Sequence, residues 1–182
     1  MRLFAAIPLA DSVQARLRGV VDRLRPAGNL RWSSPESWHV TLQFLGNVSE
    51  EQYSCLIERL NAIQTGPVPI RISGLGAFER VGVFYAQVET SPELAALVNR
   101  VTAATAACGF VAESRRYRPH ITLARGKGPG RARELRTLSS QAPAWLEPAG
   151  FLASEFLLYE SHLSPAGSSY EVRHRFRLQG LT

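Results

Sequence analysis

The segment Trp38-His-Val-Thr-Leu-Gln-Phe-Leu-Gly46 has a counterpart later in the chain, Pro119-His-Ile-Thr-Leu-Ala-Arg-Gly126. Each contains a histidine, His39 or His120, followed by a β-branched residue, a threonine and a leucine. Because successive side chains of a β-strand point to opposite faces, the histidine and threonine of each segment share one face. Each segment therefore predicts a strand with one polar His/Thr face and one apolar face that packs in the core.

Two histidines held in this way are suited to acid–base chemistry at a phosphorus atom. Imidazoles titrate near neutral pH, so one of His39 and His120 can take a proton from water while the other protonates a leaving oxygen. The hydroxyls of Thr41 and Thr122 can donate hydrogen bonds to non-bridging phosphate oxygens. Zinc ligation by the two histidines is an alternative, but no Asp, Glu or Cys stands at metal-like spacing beside either one. The pattern favours a site without metal or cofactor.

Strand and helix patterns alternate along the rest of the chain. Strands are predicted at residues 2–8, 30–32, 38–45, 68–78, 81–88, 117–125, 150–161 and 169–178, and helices at 11–25 (followed by Gly28), 49–63, 91–109 and 131–139, with a glycine-rich turn at 126–130. Asp11 is expected to cap the first helix. Ser49 and Gln52 form a capping-box pattern at the second, and Ser91-Pro92 marks the start of the third. This order predicts one α+β domain over residues 1–182, with helices against largely antiparallel sheet.

The charge of the chain points to an anionic partner. The 182 residues include 21 basic and 15 acidic side chains, for a formal net charge of +6, and Lys127 is the one lysine. Most of the excess lies in residues 112–182, which contain the second histidine motif. A positive surface attracts phosphate-bearing molecules. Genomic base composition is the competing explanation for the many arginines.

Cysteine usage and hydropathy bear on the compartment. Cys55 and Cys108 fall in predicted helices without CxxC or His-rich spacing, so we expect neither a disulfide nor a zinc site. A reducing, cytoplasmic compartment follows from that expectation. No apolar run approaches the roughly 20 residues that span a bilayer, so no membrane association is expected. No exposed apolar stripe is evident, which favours a monomer.

On these motifs the sequence resembles the two-histidine (2H) phosphoesterase superfamily, and within it the LigT-like RNA 2',3'-cyclic phosphodiesterases, also called the 2'-5' RNA ligase family. The resemblance covers nearly the whole chain. Besides the two histidine segments it includes Arg2-Leu-Phe-Ala-Ala-Ile7, Arg31-Trp-Ser-Ser-Pro-Glu-Ser-Trp38, Ser161-His-Leu163, Gly167, Tyr170 and Phe176-Arg-Leu178.

The resemblance implies a bilobal fold with two pseudo-symmetric lobes, each contributing one His-x-Thr-Leu motif to a cleft between them. It implies metal-independent hydrolysis of a 2',3'-cyclic phosphate, on RNA ends or nucleotides, to a 2'-phosphomonoester. By the resemblance, His39 is the proton donor and His120 the proton acceptor, although the two roles could be reversed. Thr41 and Thr122 are then phosphate-binding residues.

Arg125 and Phe44 are the two further candidates. The resemblance makes Arg125 the phosphate-side arginine, yet five residues after His120 it falls on the opposite face of an ideal strand. A bulge or the strand end must turn it toward the substrate. Phe44 could stack on the base, and packing in the core is the alternative.

Two other functions stay open at this point. One is a related enzyme that acts on 2'-5' linkages or on ADP-ribose cyclic phosphate. The other is a non-catalytic module that binds RNA or nucleotides in the same cleft. Two hydroxyl-supported imidazoles argue against the module, because binding alone does not need them.

Overall fold

The computed structural model describes residues 1–27, 30–126, 128, 130–141, 149–164 and 167–180. Their elements, in chain order, are β1 (Arg2–Pro8), α1 (Asp11–Leu24), β2 (Leu30–Trp32), β3 (His39–Asn47), α2 (Glu50–Asn61), β4 (Val68–Phe78), β5 (Val83–Val88), α3 (Pro92–Ala106), β6 (His120–Gly126), α4 (Arg131–Gln141), β7 (Ala149–Ala153), β8 (Glu155–Ser164) and β9 (Gly167–Arg177). Short 3-10 turns lie at Arg25–Ala27 and Pro35–Ser37. Gly28 lies outside the described residues, and so does Lys127. The glycine-rich turn expected at 126–130 is therefore described only in part.

The strands form two antiparallel sheets. One has the order β3-β1-β8-β9 and the other the order β2-β6-β5-β4-β7. Helices α2 and α3 pack together, with α2 against the first sheet and α3 against strands of both sheets, while α1 and α4 contact the second. Val40 on β3 and Ile121 on β6, the apolar neighbours of the two motif histidines, are both fully buried in the core. The predicted α+β class is confirmed, and each sheet carries one histidine motif.

The helix starts follow local sequence signals in two of three predicted cases. Ser49 accepts a hydrogen bond from the backbone N–H of Gln52, whose side chain accepts one from Ser49, so the capping box is present. Ser91 accepts from the N–H of Leu94, as expected. The prediction that Asp11 caps α1 is wrong. The cap position is Ala10, and Asp11 lies in the first turn, where its charge favourably meets the helix dipole.

The strand predicted at residues 150–161 is in fact two strands in different sheets. β7 pairs with β4 of the second sheet, and β8 pairs with β1 of the first. Only Ser154 separates them, and its carbonyl accepts a hydrogen bond from the Leu178 N–H at 2.8 Å. Neither Gly nor Pro stands at the sheet change, so the sequence gives no break signal between the two strands. β6 also begins later than predicted, after Pro119, which lacks the N–H that a ladder needs.

The expectation of unpaired cysteines is wrong as well. Cys55 of α2 and Cys108, just beyond α3, form a disulfide with a Cα–Cα distance of 5.8 Å. The two positions are 53 residues apart in sequence and meet because α2 and α3 pack against each other. Local spacing cannot reveal a bond that depends on helix packing. Among the described residues, no helix combines the length and the apolar character needed to cross a membrane.

Candidate active site

The two motif strands carry their polar residues on one face, as period two requires. On β3, His39 and Thr41 are half-buried while Val40 is buried. On β6, His120 and Thr122 are half-buried in the same alternation. The two strands belong to different sheets and lie next to each other.

A hydrogen bond connects β3 with the segment that precedes β6. The Tyr117 hydroxyl donates to the Thr41 carbonyl oxygen at 2.8 Å. His39 and His120 also lie within electrostatic range, because the charge of His120 contributes to the pKa of His39. The two His/Thr pairs are therefore neighbours on adjacent strands of the two sheets.

A bulge in β6 brings Arg125 onto the histidine face. Opposite this strand, Phe84 pairs with Ala124 and Tyr85 pairs with Thr122, so Leu123 is an extra residue without a partner. Leu123 and Ala124 are both buried in succession, and Arg125 returns to the exposed face shared by His120 and Thr122. The charge of Arg125 contributes to lowering the pKa of His120, which agrees with this placement.

β3 contains a bulge at the same offset from its histidine. Ala6 pairs with Thr41 and Ala5 pairs with Gln43, which leaves Leu42 as the extra residue. Phe44 then shares the face of His39 and is 61% exposed. Packing of Phe44 in the core, the alternative open from the sequence, does not occur.

His39 is held in a desolvated aromatic setting. Its Nδ1 lies 2.7 Å from the Ser37 carbonyl oxygen, and its ring centroid lies 4.8 Å from that of Phe4 and 5.2 Å from that of Tyr170. A carbonyl oxygen only accepts hydrogen bonds, so Nδ1 carries the proton and Nε2 has a free lone pair when the ring is neutral. Burial lowers the pKa of His39 to about 4, with the Ser37 carbonyl opposing the shift and the charge of His120 adding to it.

His120 repeats this arrangement. Its Nδ1 lies 2.8 Å from the carbonyl oxygen of Arg118, again two residues earlier in the chain. Its ring meets Phe78 at 5.1 Å and Tyr85 at 5.5 Å, both edge-to-face. Burial lowers the pKa of His120, the Arg118 carbonyl opposes the shift, and the charge of Arg125 adds to it. Both imidazoles are therefore neutral at pH 7 in the free protein, with Nε2 able to accept a proton.

The aromatic rings around the histidines were not predicted as site residues. Phe4, Tyr159 and Tyr170 surround His39, and Phe78 with Tyr85 flanks His120. They come from β1, β4, β5, β8 and β9, so only the sheet register brings them to the motifs. The quoted segments at the start and the end of the chain contain Phe4 and Tyr170, which is the one sequence signal that could have pointed to them.

A cleft of about 850 Å³ adjoins His120. Its lining includes Thr41, Phe44 and Phe78, and its charged lining residues are Arg80, Arg115, Arg116 and Arg118 with Glu79 and Glu113. The Arg118 guanidinium carbon lies 5.6 Å from the centroid of the Phe78 ring, a cation–π contact. His39 is not part of this lining, so the cleft extends from the His120 side of the site toward Phe44.

Another group of ligand-type side chains lies on the β8–β9 hairpin, on the face opposite Tyr159 and Tyr170. The ligand atoms of Glu160, His162 and Glu171 lie within 4.8 Å of one another. Arg173 forms ion pairs with Glu160 at 3.5 Å and with Glu171 at 3.4 Å, so a positive charge is already present there.

Sequence comparisons agree with the geometry. The profile of the 2'-5' RNA ligase superfamily matches residues 9–164. The RNA 2',3'-cyclic phosphodiesterase of Archaeoglobus fulgidus is 31% identical over 176 residues, which cover 94% of this chain and 97% of that protein. The RNA 2',3'-cyclic phosphodiesterase of Thermus thermophilus is 30% identical over 191 residues, which cover 99% of this chain and 91% of that protein.

Solved structures show the same fold. A crystal structure from Thermus thermophilus superposes with a TM-score of 0.79 at 29% identity and covers 99% of both chains. The crystal structure of Escherichia coli LigT complexed with 3'-AMP superposes with a TM-score of 0.78 at 24% identity and covers 97% of both chains. At that identity, the likeness to LigT concerns the fold alone.

Proposed function

Because the chain belongs to the 2'-5' RNA ligase superfamily, we propose that it is an enzyme that hydrolyses 2',3'-cyclic phosphates of RNA ends or nucleotides to 2'-phosphomonoesters. The observation that carries this proposal is the matched pair of histidines. In both, a carbonyl two residues earlier holds Nδ1 and leaves Nε2 available for proton transfer. No metal or cofactor is needed for the reaction that follows.

In the proposed reaction, His120 Nε2 accepts a proton from the water that attacks phosphorus. The bond from phosphorus to the 3' oxygen breaks, and His39 Nε2 donates a proton to that oxygen. Thr41 and Thr122 donate hydrogen bonds to the non-bridging oxygens, whose charge grows in the transition state. Arg125 adds a positive charge on the same face. With its pKa of about 4, His39 acquires its proton only when the negative cyclic phosphate lies beside it.

A sulfur substitution separates this assignment from its reverse. A cyclic substrate with sulfur in place of the leaving 3' oxygen needs no protonation of the leaving group. We expect His39→Ala to recover activity on that substrate and His120→Ala to stay inactive. Recovery by His120→Ala alone would exchange the two roles.

The activity itself is tested with adenosine 2',3'-cyclic phosphate in excess EDTA, with the product isomer identified by chromatography. We expect adenosine 2'-phosphate from the wild type and none from His39→Ala or His120→Ala. His162→Ala, which replaces an exposed histidine away from the cleft, is the matched control and should stay active. Full activity in both motif variants would contradict the mechanism.

Related substrates and binding without turnover are the remaining alternatives. Hydrolysis of 2'-5' linkages or of ADP-ribose cyclic phosphate, measured beside the nucleotide, identifies the preferred substrate. Nucleotide binding with no product in any of these assays would favour a binding module.

The proposed enzyme is one bilobal domain, with each sheet and its motif forming one lobe, and it acts as a monomer. Size-exclusion chromatography with light scattering tests the second statement. A cytoplasmic location is proposed from the RNA substrate alone, because the Cys55–Cys108 disulfide removes the support that unpaired cysteines would give. Disulfides are rare in a reducing cytoplasm, so trapping Cys55 and Cys108 as free thiols in intact cells would support that location.

A further inference from the structure

Arg31 lies beside Arg125 on the same face of the second sheet. β2 pairs with β6 so that Arg31 and Arg125 are directly opposite each other. Opposed residues of an antiparallel pair share a face, and the bulge at Leu123 has put Arg125 on the face of His120. Arg31 is exposed between the buried Leu30 and the half-buried Trp32. Two arginine side chains therefore extend from directly opposed positions at one end of the site.

No compensating negative charge pairs with these two arginines within the described part of the chain. Like charges directly opposite each other in a ladder are destabilising. Among the residues that the structure describes, neither Arg31 nor Arg125 forms an ion pair or a side-chain hydrogen bond. An anion between them would remove the repulsion, and the planar fork of arginine suits phosphate oxygens.

Arg31 also reaches the other sheet. A Cβ atom added to Gly167 would lie 2.5 Å from Nη2 of Arg31, and Gly167 has a φ of +142°. The positive φ favours glycine here, and a side chain at this position would displace the end of the Arg31 side chain. Gly167 begins β9, three residues before Tyr170, whose ring contacts His39. Arg31 thus extends from the sheet of His120 to the sheet of His39.

The two ends of the site differ in chemistry. Phe44 and Arg125 follow His39 and His120 at the same offset and after the same kind of bulge. The large cleft lies at the Phe44 end and is not lined by Arg31 or Arg125. An aromatic ring therefore marks one end and two arginines mark the other.

We propose that Arg31 and Arg125 together form a phosphate-binding site at this end, with Arg31 as a substrate-binding residue. The proposal deepens the proposed function, on which it rests for its substrate. One of two phosphate groups of the substrate could occupy this site. It is either the reacting cyclic phosphate, through its non-bridging oxygens, or a second phosphate elsewhere in the molecule.

Calorimetric titration with inorganic phosphate tests the site without turnover. We expect Arg31→Ala to weaken phosphate binding about tenfold or more, the effect of losing charged hydrogen bonds, and Arg31→Lys to weaken it less. Arg59→Ala removes the same charge from the exposed face of α2 and should change the affinity less than about twofold. Equal phosphate affinity in Arg31→Ala, Arg59→Ala and the wild type would overturn the proposal, provided that the melting temperatures agree.

Kinetics separate the two sources. Adenosine 2',3'-cyclic phosphate is compared with the same nucleotide carrying a 5'-phosphate. A rise in KM for both substrates in Arg31→Ala assigns the site to the reacting phosphate, and a rise for the 5'-phosphorylated one alone assigns it to the second phosphate. If the wild type hydrolyses neither but phosphate binding still depends on Arg31, the proposed activity fails and the site stands.

Discussion

Acidification should destabilise the protein through His39. Its pKa is about 4 in the folded chain against 6.5 when unfolded, so the unfolded state binds the proton more readily. The stability that neutral His39 provides is present above pH 6.5 and is lost as the pH falls from 6.5 toward 4. Linkage gives a loss of about 2 kcal/mol in the free energy of unfolding between pH 7 and pH 5 from this residue alone.

Urea denaturation at pH 7 and pH 5 measures this loss. His39→Gln cannot take up the proton, so it should lose about 2 kcal/mol less than the wild type between the two pH values. NMR titration of the His39 ring adds an independent midpoint, expected near 4. An equal pH dependence in His39→Gln and the wild type would refute the assignment of the shift to desolvation of His39.

Three further changes have defined outcomes. Replacing both Cys55 and Cys108 by serine opens a loop of 53 residues and should cost about 4 kcal/mol of unfolding free energy, seen as a lower melting temperature; an unchanged value would mean that the bond adds no stability. Leu123→Ala, at the buried bulge, should lower the free energy of unfolding by about 2–5 kcal/mol in urea denaturation, and a loss below about 1 kcal/mol would show that the surrounding core collapses into the vacated space. Phe44→Ala should raise KM for adenosine 2',3'-cyclic phosphate without lowering kcat, and an unchanged KM would exclude base stacking.

The polar faces of the motif strands could be predicted because period two is a local property. His39 and Thr41 share a face whatever β3 pairs with, and the same holds for β6. The aromatic rings around the histidines depend on register across several strands, which no local pattern specifies. The sequence therefore indicates the reacting groups and leaves out the rings that desolvate them.

Arg125 shows where strand periodicity stops being sufficient. An ideal strand puts it on the wrong face, and only the pairing of β5 with β6 reveals the extra residue, Leu123, that corrects its direction. The disulfide and the boundary at Ser154 are of the same kind. Both are set by how distant elements pack, and neither leaves a signature in the neighbouring residues.

The repeated bulge has a consequence for which ribose oxygen is released. Because each histidine has a matching threonine, a cyclic phosphate could bind in either of two orientations related by a half-turn. With His39 fixed as the proton donor, one orientation would release the 3' oxygen and the other the 2' oxygen. The fifth residue after each histidine breaks this equivalence, because one is Phe44 and the other is Arg125. If the proposed function holds, Phe44 and Arg125 determine which ribose oxygen is released, and the two histidines transfer the protons that accelerate the reaction.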